Sequence, residues 1–199
     1  MKLKKALIIS AASVALLGAG AGAGIFIANN GLADSVTTSS STSSSKKSQT
    51  NSQKKKVEVK VDMATAIKTA LKEAKSGKVV ASELEFKRNT PVYEIKILDG
   101  DTEKEYQVDA NTGKIVNSST EKISNDSDNL ELSNLDTKVS LADAIKKAQE
   151  KYSSAKIFQV ELEMEDGKAV YEIKLTDNNK RIKLVISADD GSIVSDSTR

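Results

Sequence analysis

Glu83 and Glu85 stand two residues apart, and Glu161 and Glu163 repeat the arrangement. At that spacing an extended strand presents both carboxylates on one face. Such pairs can act as general acid and base or hold Ca²⁺. With Lys96 and Lys174 on the neighbouring strands, they read instead as a solvated face that meets lysine. Asp99-Gly100-Asp101-Thr102-Glu103 looks like the start of a calcium loop, but it lacks the sixth-position Gly and the distal Glu. Turn chemistry accounts for it. Tyr93 and Tyr171 fall on the apolar face of a strand, where a hydroxyl needs a partner, and this points to a structural role. Gly113 and Gly191 close turns that call for positive φ. No phosphate loop, nucleotide fingerprint or nucleophile elbow occurs. We expect no catalytic residue, no cofactor and no metal.

The missing residue types narrow the chemistry further. The 199 residues include no His, Cys or Trp. That excludes a Ser-His-Asp triad, an imidazole base, a thiol nucleophile, a disulfide framework and His- or Cys-ligated metal. It also excludes an acylated lipoprotein Cys. With 4 Tyr and 3 Phe, no aromatic platform for nucleic acid is expected. The chain is read as a non-enzyme.

The net charge of +2 is a sum over unlike parts: residues 1–28 carry +3, residues 29–60 carry +4 and residues 61–199 carry −5. Residues 1–5 form a basic start, and residues 6–28 contain no charged side chain. A helix over that run is about 34 Å long, enough to cross a hydrocarbon core of about 30 Å. It is a signal peptide with Ala19-Gly20-Ala21 or Ala21-Gly22-Ala23 as the cleavage pattern, or an uncleaved membrane anchor completed by Ile25-Phe26-Ile27. Both readings put the N-terminus inside and the rest of the chain outside the cell membrane. Residues 29–57 are a Ser/Thr/Lys-rich tether too polar to bury a core. Export without cysteine fits the surface of a Gram-positive-type bacterium.

Two elements of the same kind must position the candidate residues, because the chain repeats itself. At an offset of 78, residues 61–116 align without a gap on 139–194, with 21 identities in 56 positions, which marks a duplication. Each copy opens with a helix: Met63, Ala66, Ile67, Ala70, Leu71 and Ala74 recur at helical spacing, as do Leu141, Ala144, Ile145, Ala148 and Tyr152. Asp62 and Ser140 are the expected N-caps, with Asp143 completing a capping box. Period-two strands follow, with Val80, Ser82, Leu84 and Phe86 on one face of the first, then Tyr93, Ile95 and Ile97, then Tyr106, Val108 and Ala110. A short closing strand is expected at 114–116, and its counterpart at 192–194. The fold class is α+β: two tandem units at 58–117 and 139–197, each one helix on a one-sided antiparallel sheet of three to four strands. A unit of about 60 residues is marginal alone, so packing between the copies is expected. The joining segment at 118–138 is either a loose linker or a carrier that lays Leu130, Leu132 and Leu135 across the interface between the copies.

The pattern resembles the PepSY domain. Its marks are an Ala-rich opening helix (Ala64-Thr65-Ala66-Ile67), a first strand ending Glu-Leu-Glu (Val79 to Glu85), Tyr93-Glu94-Ile95, and Val108-Asp109-Ala110-Asn111-Thr112-Gly113-Lys114-Ile115. The second copy keeps Tyr171-Glu172-Ile173 and Gly191, and departs at Ser187 and Asp190. The resemblance implies a cystatin-like helix-on-sheet fold and structural roles for Tyr93, Glu94, Asp109, Gly113, Tyr171, Glu172 and Gly191. It further implies an extracytoplasmic binding module whose partner is a secreted or membrane peptidase, bound or inhibited. A structural or adhesive wall module without such a partner is the alternative. No sequence feature defines the oligomeric state.

Overall fold

The computed structural model describes residues 59–88, 90–124 and 128–199. The expected signal or anchor at 6–28 and the tether at 29–57 lie outside the described residues. Copy one runs α1 (Met63–Ala74), β1 (Lys78–Lys87), β2 (Thr90–Asp99), β3 (Thr102–Asp109) and β4 (Ile115–Lys122). A connecting helix α2 (Asp128–Asn134) leads to copy two, with α3 (Leu141–Lys151), β5 (Lys156–Glu165), β6 (Lys168–Asp177), β7 (Lys180–Ser187) and β8 (Ile193–Thr198).

Both long helices start where their caps predict. The Thr65 amide donates to Asp62 Oδ1 at 2.7 Å, and the Asp143 amide donates to Ser140 Oγ at 3.1 Å while the Ser140 amide returns to Asp143 Oδ2. The helices bury their Ala/Ile/Leu stripes (Met63, Ala66, Ile67 and Ala70; Leu141, Ala144, Ile145 and Ala148) against the face that carries Tyr93, Ile95, Tyr171 and Ile173. The small Ala side chains bring helix and sheet backbones close together.

The two copies do not form two sheets. One eight-stranded antiparallel sheet runs β4-β3-β2-β1-β5-β6-β7-β8, and one apolar core spans both copies. The seam is a short antiparallel pairing of β1 with β5 through Ala81–Glu161, Ser82–Val160 and Glu83–Gln159. At the offset of 78, Ala81 corresponds to Gln159, Ser82 to Val160 and Glu83 to Glu161. The register is therefore symmetric about Ser82–Val160, and the chain pairs with itself as an isologous dimer would. The symmetry extends to irregularities: β1 and β5 share a bulge at 79–81 and 157–159, and β3–β4 and β7–β8 share another. Joining at β1 and β5 removes one unpaired edge from each copy, the usual liability of a small sheet.

Three expectations need correction. The closing strands are not short: β4 continues to Lys122 and β8 to Thr198, because each finds a full partner in the preceding strand. Part of the segment expected to be a linker is therefore sheet. Nor is the sheet one-sided, since Val92 through Leu98 of β2 are buried on both faces. Leu98 shares its face with Glu94 and Lys96 by strand alternation, away from α1.

The connecting segment explains part of that second burial. Leu132 of α2 is buried, and Ser133 Oγ donates to the Gly100 carbonyl at 2.7 Å. Lys78 Nζ donates to the carbonyls of Leu132 and Ser133 at 3.2 and 3.4 Å, and to that of Leu135, closing the end of α2. Thus α2 covers the Leu98 corner of copy one. Copy two has Thr176 where copy one has Leu98.

Candidate functional site

The outer face of the central strands, opposite α1 and α3, collects most of the charged candidates. Glu94 is 1% exposed, and Lys96, Glu161, Glu163 and Glu172 are all buried. The reading of Glu161 and Glu163 as a solvated surface is therefore wrong. Glu161 faces Ala81 and Glu172 across its two neighbouring strands, so no solvent margin remains at the centre of the sheet. Burial raises the Glu161 carboxyl above its ordinary value against the attraction of Lys174. Burial and then the Glu85 charge raise Glu83.

The lysines do not pair as expected either. Lys96 Nζ reaches Glu103 at 2.7 Å, and Lys174 lies 3.4 Å from Glu172 and donates to Gln159 at 3.0 Å.

Glu94 and Glu172 occupy the same place in the two copies but have different company. Lys87 donates to Glu94 Oε2 at 2.9 Å, while Oε1 has no fixed donor among the described residues. The Glu105 carboxyl lies beside Glu94. Burial, and then the contact with Glu94, hold the Glu105 carboxyl up to about 8. Burial opposes ionisation of Glu94 too, but the hydrogen bonds from Glu105 and Lys87 outweigh it and leave Glu94 low. In copy two the Glu105 position is Lys183, which pairs with Glu172. There burial is outweighed by Lys183 and Lys174, and Glu172 stays ionised. One copy thus sets two carboxyls together where the other has an ion pair.

The remaining motif residues hold turns and helix entries. Tyr93 Oη donates to the Val61 carbonyl at 2.8 Å, and Tyr171 Oη to that of Val139 at 2.7 Å, tying β2 and β6 to the residues before each helix. Burial, then Asp62, push the Tyr93 hydroxyl up to about 12. Asp109 Oδ1 accepts the Asn111 and Thr112 amides at 2.9 and 2.8 Å and closes the β3–β4 turn. Ser187 takes its place with longer bonds of 3.3 Å to the Asp189 and Asp190 amides, so the substitution keeps the turn. Gly113 and Gly191 follow at φ 70° and 72°. Asp99 is engaged by Lys104 at 2.8 Å and Ser76 at 2.6 Å. No cluster of three metal-ligating side chains occurs among the described residues.

Residue-type reasoning missed Lys87, Arg88, Glu105, Glu165, Asp166 and Lys183. Aligning the copies would have found them, because Lys87, Arg88 and Glu105 are opposite in sign to Glu165, Asp166 and Lys183 at the offset of 78.

The molecule is a duplicated helix-on-sheet protein whose two units share a sheet and diverge in charge. The family model of the peptidase propeptide and YPEB domain, PepSY, matches residues 60–118 and again 138–196, and the chain belongs to that family. Among solved structures, a lipoprotein candidate from Clostridium difficile 630 is similar at 20% identity and TM-score 0.46, over 71% of this chain and 95% of that one. The Bacillus megaterium YpeB C-terminal domain is similar at 17% identity and TM-score 0.28, over 71% of this chain and 66% of that one. Comparison with curated proteins returned no match.

Proposed function

We propose that the protein is a non-enzymatic binding module outside the cytoplasm, held at the cell membrane through residues 6–28, that binds and restrains a peptidase. The observation that carries this reading is the family match over both copies, a family whose description names peptidase propeptides. Binding in place of catalysis is supported by the buried Glu94 being engaged by Glu105 and by Lys87.

Affinity capture with the full chain from the native cell surface tests the proposal. Recovery of a peptidase, and a fall in its activity when the chain is added, are expected. Recovery of none, with secreted proteolysis unchanged by deletion, would overturn it. Fractionation tests the tether: release of the chain into the medium means the segment is cleaved.

A further inference from the structure

The two ends of the eight-stranded sheet share a strand arrangement and differ in charge. At the copy-two end, a groove of ≈ 760 Å³ opens between the β5–β6 turn, the β7–β8 turn and the start of β8. Its rim carries Glu165, Asp166, Asp189 and Asp190 against Lys168 and Lys138, the latter 2.7 Å from Asp189, and Val194 supplies apolar surface. The equivalent positions in copy one are Lys87, Arg88, Asn111 and Thr112, with Thr90 in place of Lys168, Lys114 in place of Ser192 and the single acid Asp109 in place of Ser187, while Lys60 stands where copy two has Lys138. Arg88 and Asp166, opposite in charge, both sit at φ 50°. The charge at this end is therefore not imposed by the turn.

Beside the groove lies a free edge. β8 pairs only with β7 among the described residues, and every one of its residues is exposed. Arg181 and Arg199 exchange both backbone hydrogen bonds, at 3.0 and 2.8 Å. By antiparallel alternation, the N–H and C=O groups of Thr198 and Asp196 then point away from β7. Val194, 56% exposed, stands where this edge meets the groove.

Taking the chain as a module for a protein partner, we propose that the β8 edge and its acidic groove dock an extended segment of that partner bearing lysine or arginine. The segment adds a ninth strand by bonding to Asp196 and Thr198, and its alternate side chains fall on the groove side. A cation there meets the carboxylate rim, and an apolar neighbour meets Val194. The copy-one end, carrying Lys87, Arg88 and Lys114, repels the same segment.

The test uses the full chain in detergent and fluorescence anisotropy of a labelled heptapeptide alternating lysine with valine, with a glutamate-for-lysine peptide as comparison. The lysine peptide binds, more weakly as salt rises, and the glutamate peptide does not. The double variant Glu165→Lys/Asp166→Arg installs the copy-one charges at two positions, the second with the φ of 50° that Arg88 already adopts, and weakens binding at least tenfold. Thr198→Pro removes an outward N–H that bonds nothing in β7 and also weakens binding. Both variants keep the melting temperature of the parent. Equal affinity of the variants, or equal binding of the two peptides, overturns the proposal. So does sedimentation showing a concentration-dependent dimer that Thr198→Pro abolishes, since a second copy would then occupy the edge. If a peptidase is captured equally by parent and double variant, the peptidase reading stands and the β8 groove is not its site. Peptide binding without peptidase capture leaves the groove standing and removes that reading.

Discussion

Ser82 and Glu105 are single residues at which one copy departs from the other at a structural cost. Ser82 lies at the symmetric centre of the seam, opposite Val160, fully buried, and its hydroxyl has no hydrogen-bond partner among the described residues. An unpaired buried hydroxyl costs about 1–3 kcal/mol. Ser82→Ala should therefore raise stability by about 1 kcal/mol, read as a higher urea midpoint at unchanged slope, and a lower midpoint would mean that the hydroxyl is paired. Glu105 makes stability depend on pH. Its folded value of about 8 lies above the ordinary 4.5, so the folded state holds the extra proton between those values and stability falls as pH rises through that window. Glu94, shifted the other way, contributes stability above the ordinary carboxylate value that is lost below it. Glu105→Gln keeps a donor for Glu94 and has no proton to lose. The drop in urea midpoint between about pH 5 and about pH 8.5 should shrink, leaving the part due to Glu83 and Glu161. An unchanged drop would show that Glu105 does not hold the proton.

At the scale of elements, α2 decides how the outer face of copy one is finished. Leu98 has no apolar counterpart in copy two, and it is buried because the connection between the copies folds back over it. Leu132→Ala should cost about 2–4 kcal/mol, the usual range for a buried Leu truncation. It should also speed amide exchange in β2 and β3 before it does so in β6 and β7. Equal acceleration in both copies would show that α2 supports the seam and not the corner. The leucines at 130, 132 and 135 were visible in the sequence, but their destination was not. Periodicity reports which face of a segment is apolar, and not which surface it will meet.

The whole molecule behaves as a dimer written into one chain. Each copy alone would bury only about 60% of its unfolded surface. The shared sheet and the single core remove that weakness, so calorimetry should show one transition, with equal van't Hoff and calorimetric enthalpies. Cleavage between α2 and α3 should leave the halves associated. Two separate melting steps, or halves that part on a sizing column, would contradict a continuous sheet.

The duplication, the helix caps, the succession of helix and strands along each copy and the family follow from sequence alone, because they rest on local periodicity and on a repeat visible at one offset. Gly113 and Gly191 were legible for the same reason, each serving a turn next to it in the chain, whereas the carbonyls that Tyr93 and Tyr171 bond lie 32 residues away. Only the tertiary structure decided that β1 meets β5, that Glu161 and Glu163 lose their solvent, and that Glu105 sits against Glu94 where Lys183 sits against Glu172. Those outcomes depend on which edges and faces come together across long separations. A strand edge carries the same backbone groups whatever its side chains, so no residue pattern names its partner.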